Sequence, residues 1–311
     1  MRHLQLIRGL FVAVAALLLS ATAQAQLFRT YLSASGSDSN PCTLISPCRL
    51  LPAALNAIVS GGEIWMIDSA NYNVATVSIG KSVSILAVPG VVGSIVATGG
   101  PAIAIGASGL TVALRNVTIV PLSGGGGIHG AAMTGASTLV IENSVISNLP
   151  GAGVIVSGTG RLKVTNTVIR NSSFWGVYLE NGASAEISNT QMLSNFSGGV
   201  TAQGGVASTL TTAVVSDSIV SGGSIGGVLA FSAVAGATTK IFLARSTIEG
   251  TSAGLVVLGS SLAVVAASST MVTNNGAAWR QSGSGVIRSL GNNHFTDNGV
   301  STGSLTPTSP Q

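Results

Sequence analysis

Hydrophobic residues recur along the chain in short alternating runs that repeat every 23 to 28 residues. Alternation with a period of two predicts β-strands that turn one face inward. The clearest copies are four six-residue segments with an Asn at their third position, and the pattern continues more loosely in four further copies. The central residues of these eight copies are Asn116, Asn143, Asn166, Asn189, Asp217, Arg245, Ser268 and Asn292.

Three columns of this alignment are apolar in nearly every copy, and we predict that they face a core. They lie four and two residues before the central residue and three residues after it. A second strand begins about eleven residues after the central residue, at Gly153-Val154 and its equivalents. In the copies around Ser268 and Asn292, the core columns contain Val264, Ala266, Met271, Leu290 and Phe295.

A single repeat of this length cannot bury its apolar face, whereas stacked copies bury a continuous core. The sequence therefore predicts an all-β fold, a single-stranded parallel β-helix (a solenoid) of roughly ten coils. We expect the Asn column to form one bend of each coil, because Asn tolerates left-handed backbone angles and its amide can bond to adjacent coils. The Asn members of that column are Asn116, Asn143, Asn166, Asn189 and Asn292.

The residues before the repeats predict a cap. The segment 49–59 has helical apolar spacing at Leu51, Leu55 and Ile58, and a strand is expected at 63–67. The Asn-centred columns between about 109 and 299, together with the segment 30–38, resemble the right-handed parallel β-helix repeat proteins of the pectate-lyase-like superfamily. That resemblance implies a right-handed solenoid whose end is capped by a short helix. It implies no particular activity.

The chain begins with the pattern of a secretory signal peptide. Arg2 and Arg8 precede an apolar run over 10–19, and Ala23-Gln24-Ala25 suits a cleavage site. The run is too short to span a bilayer. We therefore predict a secreted or periplasmic protein without membrane insertion after cleavage. The expected divisions are a signal peptide at 1–25, a cap with a disulfide and a short helix at 26–62, the β-helix at 63–300 and a disordered tail at 301–311.

The charge balance and the two cysteines reduce the number of functions that the chain can have. Only 7% of the residues are charged and 46% are hydrophobic, which is the opposite of a disordered composition. Without Arg2 and Arg8 the chain has eleven basic and nine acidic residues, too even a balance for a nucleic-acid partner. Cys42 and Cys48 lie six residues apart, and in an exported chain they predict a local disulfide. A metal site is the alternative, but two ligands alone do not complete one.

The acidic residues are dispersed. In the alignment Glu142, Glu186 and Asp217 occupy three different columns, so they do not stack into a carboxylate cluster. Two of them share an outward column with a basic residue one coil away, which predicts the surface ion pairs Arg115–Glu142 and Lys163–Glu186. No catalytic residue, metal ligand or cofactor is assigned from the sequence.

Two local features are candidates for a site. His129 lies in a Gly-rich stretch and is expected to be a solvent-exposed loop residue, with a catalytic role as the alternative. Aromatic residues concentrate in one coil, with Phe196 at a similar place in the next. They can stack on a sugar ring, or their rings can pack on one another over the barrel. The candidate ligand-binding residues are Phe174, Trp175, Tyr178, Glu180 and Arg170.

The sequence leaves three hypotheses for function. The first is a non-enzymatic exported β-helix that binds a polysaccharide or cell-surface glycan along one face. The second is a carbohydrate-active enzyme, either a polysaccharide lyase or a glycoside hydrolase. The third is a structural or adhesive surface protein that associates through its coil ends. The oligomeric state stays open.

Overall fold

The chain folds as a right-handed parallel β-solenoid of about ten turns. The computed structural model describes residues 27–260 and 262–308, so the predicted signal peptide lies outside the described residues. Each coil contributes one short strand to each of three parallel sheets, called A, B and C here. Their inward residues form one continuous apolar core along the stack. The predicted β-helix is confirmed.

Sheet A is the longest sheet and runs the length of the molecule. Neighbouring strands pair in parallel, so the outer residues of successive coils form columns about 4.8 Å apart. Its strands in spatial order are β1 (Leu27–Leu32), β2 (Ile58–Met66), β5 (Val83–Ala87), β8 (Thr111–Arg115), β11 (Thr138–Glu142), β14 (Arg161–Thr165), β17 (Ser184–Ser188), β20 (Leu210–Ser216), β23 (Thr238–Ala244), β26 (Ala263–Ser268), β29 (Val286–Ser289) and β31 (Leu305–Pro307).

Sheet B follows sheet A across the Asn bend, and most of its strands have three residues. Such short strands leave a single inward residue per coil, the third residue after the bend. The strands are β3 (Ala70–Asn71), β6 (Gly93–Ala97), β9 (Val117–Pro121), β12 (Val145–Ser147), β15 (Val168–Arg170), β18 (Gln191–Leu193), β21 (Ile219–Ser221), β24 (Thr247–Glu249), β27 (Met271–Thr273) and β30 (His294–Thr296).

Sheet C contains the Gly-Val strands that the sequence marks about eleven residues after the bend. Turns join it back to sheet A of the next coil. The strands are β4 (Val77–Ser78), β7 (Ile103–Ile105), β10 (Ala131–Met133), β13 (Val154–Ser157), β16 (Trp175–Glu180), β19 (Gly198–Gly204), β22 (Val228–Ser232), β25 (Leu255–Gly259) and β28 (Trp279–Gly283).

The N-terminal residues close one end of the stack. Helix α1 (Leu51–Ala57) buries Leu51, Ala54 and Leu55 against the first coil, and Cys42 and Cys48 form a buried disulfide. The cap is continuous with sheet A, because β1 pairs with β2 along its length. Strand β2 begins at Ile58, so the solenoid begins before residue 63.

The C-terminal segment differs from its prediction as a disordered tail. Within 301–311, β31 adds a strand to the outer edge of β29, where unpaired backbone groups are available. The amide of Thr308 also donates to the carbonyl of Ser289 at 2.8 Å. Residues 309–311 lie outside the described part of the chain.

The Asn bend takes the left-handed backbone that the sequence predicts. The φ angles of Asn116, Asn143, Asn166 and Asn189 lie between 47° and 54°. The expected amide ladder is found in part, since Asn116 donates through its Nδ2 to the carbonyl of Ala87 at 2.9 Å. Within the described residues, the other three side chains form no hydrogen bond to a neighbouring coil.

The alignment slips by one residue in the copy assigned to Ser268. The left-handed residue there is Ser269, and the strand pairing places Ala267 rather than Ala266 opposite the inward Leu243. A slip of one residue moves every side chain to the other face of its sheet. Met271 is accordingly 43% exposed, whereas its neighbour Val272 is buried.

The bend between β29 and β30 also differs from the predicted Asn column, but for a different reason. It contains one residue more than the bend before it, because Ser289 pairs with Ala267 while His294 pairs with Met271. Gly291 takes the left-handed conformation, with φ 85°, so Asn292 does not occupy the predicted bend position. Asn292 instead accepts the amide of Ser269 at its Oδ1, at 2.9 Å. The shift also places Ser289, not Leu290, in the core.

The two predicted ion pairs are confirmed on the outer face of sheet A. Arg115 Nε lies 2.6 Å from Glu142 Oε2, and Lys163 Nζ lies 3.0 Å from Glu186 Oε2. Two further ion pairs were not predicted from the sequence. These are Arg29–Glu63 and Arg245–Asp217, both at 2.7 Å.

Candidate functional site

Four of the five candidate ligand-binding residues lie in or beside one strand of sheet C. Trp175, Tyr178 and Glu180 belong to β16, and Phe174 directly precedes it. Arg170 ends β15 of sheet B, on the other side of a turn. The structure therefore brings the aromatic residues and the carboxylate to one outer face and places Arg170 on another sheet.

Phe174 and Tyr178 form an aromatic pair at the surface. Their ring centroids lie 5.3 Å apart with an interplanar angle of 33°, and Phe174 is 37% exposed. The phenol of Tyr178 donates to Gln203 Oε1 at 2.5 Å, which fixes the ring against the next coil. Partial burial, together with the nearby Glu180 carboxylate, raises the pKa of the Tyr178 phenol above its usual value. The phenol is thus a hydrogen-bond donor at neutral pH.

Trp175 does not present a face to solvent, which corrects its assignment as a ligand-stacking residue. It is 2% exposed and packs with Leu229, Val256 and Ala277 in a second apolar cluster outside sheet C. The next coil makes room for the indole with a glycine, because a Cβ at Gly198 would come within 2.5 Å of the ring. Trp175 therefore supports the surface on which the exposed pair sits.

An outward column beside the aromatic pair supplies polar groups. In successive coils, the residues that pair across the strands are Ser157, Glu180 and Gln203, followed by Phe231 and Leu258. Ser157 Oγ donates to Glu180 Oε1 at 2.5 Å. We call the outer residues Phe174, Tyr178, Glu180, Gln203, Phe231 and Leu258 the sheet C face.

Sequence reasoning missed Gln203, Phe231 and Leu258. Each lies three residues after the apolar residue that opens the second strand of its coil, as Glu180 lies three residues after Val177. Aligning the coils on that second strand, rather than on the Asn bend, reveals the column. The continuous apolar segment Val228–Phe231 is a further signal, since it has an apolar residue at outward positions as well.

The sheet C face has the groups of a sugar-binding surface. A saccharide ring offers an apolar C–H face to an aromatic ring and hydroxyls around its rim. Phe174 and Tyr178 can take the first, while the Glu180 carboxylate and the Gln203 amide can bond to the second. Glu180 is the single carboxylate in the strands of sheet C. Among the described residues, no three His, Cys, Asp or Glu side chains are grouped so as to hold a metal ion.

His129 has a structural role, contrary to its expected place in a solvent-exposed loop. The imidazole is half-buried, and its Nδ1 accepts the backbone N–H of Ala152 in the next coil at 2.9 Å. Burial lowers the pKa of His129 below its usual value. The neutral ring thus links two coils at the bend before sheet C.

Asp68 is likewise bound within the N-terminal cap. Burial by itself would raise the pKa of this carboxyl, but hydrogen bonds from Tyr72, Ser33 and the amide of Ala34 lower it below its usual value. Asp68 therefore ties β1 to the first coil. No helix among the described residues has the length and apolar character needed to cross a bilayer.

Comparisons with known proteins concern the fold. A family model described as "Right handed beta helix region" matches residues 95–240. Pectate lyase Pel9A has 12% sequence identity and a TM-score of 0.59, and the match covers 85% of this chain and 78% of that one. No curated protein matches the chain in sequence.

Two other solved structures overlap more loosely. A rhamnogalacturonan lyase has 12% identity and a TM-score of 0.45, with 84% of this chain and 75% of that chain covered. An alginate lyase from Paenibacillus sp. str. FPU-7 has 13% identity and a TM-score of 0.44, with 90% and 100% covered. The likeness to pectate lyase Pel9A, at 12% identity, extends to the fold alone.

Proposed function

We propose that this right-handed parallel β-helix protein, which shares the fold of pectate lyase Pel9A, is an exported, non-enzymatic glycan-binding protein. The glycan binds on the sheet C face. The observation that carries the proposal is the Phe174–Tyr178 pair beside Glu180 and Gln203, in which the Phe174 ring is exposed and the Tyr178 ring is partly buried.

The geometry of the face suits a ligand that extends along the stack. Tyr178 is held by its hydrogen bond to Gln203, and the buried Trp175 fills the space beneath the surface, so the contact residues are ordered before binding. Pre-organisation lowers the entropy lost on binding. Phe231 and Leu258 continue the column for two more coils, about 10 Å along the axis. The ligand therefore spans several sugar units.

The placement of the acids supports binding without hydrolysis. Hydrolysis of a glycosidic bond generally requires two carboxyl groups that flank it. The strands of sheet C supply Glu180 alone, while Glu142 and Glu186 are held in ion pairs on the outer face of sheet A. A lyase or hydrolase is the alternative that the experiments below distinguish.

Export rests on two features. Residues 1–25 have the sequence of a secretory signal peptide, and Cys42 and Cys48 form a disulfide. Structural disulfides persist in oxidising compartments such as the periplasm and the extracellular space. We therefore place the glycan on a cell surface or in the surrounding medium.

The test is to immobilise a panel of polysaccharides and measure retention of the purified chain. The panel contains xylan, galactomannan, a mixed-linkage glucan, polygalacturonate and alginate. For the polysaccharide that is retained, Phe174→Ala is expected to weaken affinity about tenfold, or about 1.4 kcal/mol. Gln203→Ala, which frees the Tyr178 ring, is expected to weaken it as well.

Phe242→Ala is the matched control, because Phe242 is 42% exposed on the outer face of sheet A. It should leave affinity unchanged. Equal affinities of Phe174→Ala and the wild-type chain would contradict the proposal. An equal loss in Phe242→Ala, or the absence of binding to every polysaccharide, would do the same.

A further inference from the structure

A small cavity lies at the corner where the turns from sheet C lead into sheet A. It spans three consecutive coils and has a volume of about 210 Å³. Thr111, Thr138 and Arg161 are the first residues of β8, β11 and β14, and they pair with one another across the strands. We call this cavity the Arg161 pocket. Its lining residues are Gly109, Leu110, Thr111, Ala136, Ser137, Thr138, Thr159 and Arg161.

Arg161 gives the pocket a positive charge with no counter-charge inside it. No acidic residue lines the pocket, and within the described residues the guanidinium of Arg161 forms no salt bridge or hydrogen bond. The acids on the same outer face of these coils already have partners. Glu142 binds Arg115 at 2.6 Å, and Glu186 binds Lys163 at 3.0 Å.

Three hydroxyls complete a set of donors. Among the described residues, the side-chain hydroxyls of Thr111, Thr138 and Thr159 have no hydrogen-bond partner, so each can donate to a ligand. Ser137 does not contribute, because its Oγ accepts the amide of Leu110 and donates to the carbonyl of Ala107. The pocket thus offers one guanidinium and three free hydroxyls.

We propose that the Arg161 pocket binds a tetrahedral oxyanion, the phosphate or sulfate group of a phosphorylated or sulfated saccharide. The donors come from three coils stacked about 4.8 Å apart and from the turn beside them, and all of them line the same pocket. A tetrahedral anion has oxygens for all of them. A planar carboxylate would be satisfied by the guanidinium alone.

The size of the pocket limits the ligand. Its volume of about 210 Å³ lies below the roughly 300 Å³ at which pockets for drug-sized ligands begin. It holds the anionic group and at most the sugar unit that carries it, and any further units of a saccharide would lie outside it. None of the residues that line the pocket belongs to the sheet C face, so variants of the two sites test the two proposals separately.

The test is calorimetric titration of the full chain with inorganic phosphate, inorganic sulfate and acetate. Arg161→Gln should weaken phosphate or sulfate binding at least about tenfold, because a charge-assisted hydrogen bond is lost. Thr138→Val keeps the shape and removes one donor, so it should weaken binding by a smaller factor. Arg288→Gln, at an exposed arginine on the same sheet outside the pocket, is the matched control and should bind as the wild-type chain does.

Titration with a sugar phosphate and a sugar sulfate identifies the source of the anion. Tighter binding of either ester than of the inorganic ion supports the proposal, and the tighter ester is the ligand class. Three results would overturn it: unchanged affinity in Arg161→Gln, an equal loss in Arg288→Gln, or acetate that binds as tightly as phosphate and sulfate. Phe174→Ala should bind the anion normally, so a failure of the glycan proposal does not affect this outcome.

Discussion

At the scale of single residues, the fold depends on positions that take a left-handed backbone. The first bend of each coil has Asn there in four consecutive copies, and Asp217 and Arg245 continue the column with φ 50° and 47°. These two are neither Asn nor Gly, and their side chains bond to each other through Arg245 Nε and Asp217 Oδ1 at 2.7 Å. The backbone requirement thus persists while the residue type changes.

Replacement of Asn143 isolates this requirement, because its side chain is exposed and its φ is 51°. Asn143→Ala is expected to lower the free energy of unfolding by about 1 kcal/mol, since Ala meets the left-handed steric penalty in full. Asn143→Gly avoids that penalty and should be more stable than Asn143→Ala. Chemical denaturation of both variants checks the order, and equal stabilities would refute it.

His129 predicts how stability depends on pH. The pKa of the folded imidazole is lowered by burial, whereas the unfolded value is about 6.5. The neutral ring therefore stabilises the fold above about pH 6.5, and this contribution is lost as the pH falls towards the folded pKa. In His129→Asn, whose amide oxygen can still accept the Ala152 N–H, the loss of stability between about pH 7 and pH 5 should be smaller. A loss as large as in the wild-type chain would show that other groups cause it.

At the scale of the elements, a column of buried hydroxyls joins the coils directly after the Asn bend. Each hydroxyl donates to the carbonyl two residues before it, and several accept an amide from the preceding coil. This column, and not the Asn amides, supplies most of the polar links at this bend. Its members are Ser144, Thr167, Thr190, Ser218, Ser246 and Thr270.

Ser218 is the member that tests this link most simply. Its Oγ accepts the amide of Thr190 at 3.1 Å and donates to the carbonyl of Ser216 at 2.6 Å. Ser218→Ala leaves a buried amide without a partner and should cost about 1 to 3 kcal/mol of unfolding free energy. Ser221→Ala, on the outer side of the next strand, should cost much less. Similar costs for the two variants would show that the hydroxyl column contributes little.

Strands and their inward residues can be predicted from the sequence in the coils where the spacing of the repeat is constant. The inward columns and the two ion pairs could be predicted between Leu114 and Leu243, because those coils keep one spacing on either side of the bend. The slip at Ser268 arose because several neighbouring small residues there fit the column equally well. The structure places the bend at Ser269, whose backbone is left-handed, and Thr270 directly after it donates to the carbonyl of Ser268 as a member of the hydroxyl column. A bend at Ser268 would also have placed a hydroxyl residue, Ser269, in that column, so the sequence alone does not distinguish the two positions.

The candidate site was predictable only in part. An aromatic concentration shows in one coil, but the burial of Trp175 depends on the glycine of the next coil at position 198 and on Leu229 two coils away. The Arg161 pocket likewise needs residues from three coils and a turn. Both features depend on contacts between stacked coils, and these contacts cannot be predicted from the residues of one coil alone.

At the scale of the whole molecule, the three sheets divide the surface by chemistry. Sheet A carries three of the four ion pairs found among the described residues, whereas the sheet C face is aromatic and apolar with few charges. A parallel stack produces this division because each outward column repeats every coil. One sheet can then hold charged and hydroxyl groups while another presents the extended surface that we propose binds a saccharide.

The most direct test of the central claim measures binding and chemistry on the same samples. The purified chain is incubated with each polysaccharide of the panel, and retention is recorded together with release of reducing ends and of unsaturated products. The proposed function predicts that one polysaccharide is retained, that retention falls in Phe174→Ala, and that no product accumulates. Accumulation of product that is lost in Glu180→Gln would contradict a non-enzymatic role, and undiminished retention by Phe174→Ala would contradict the sheet C face as the binding surface.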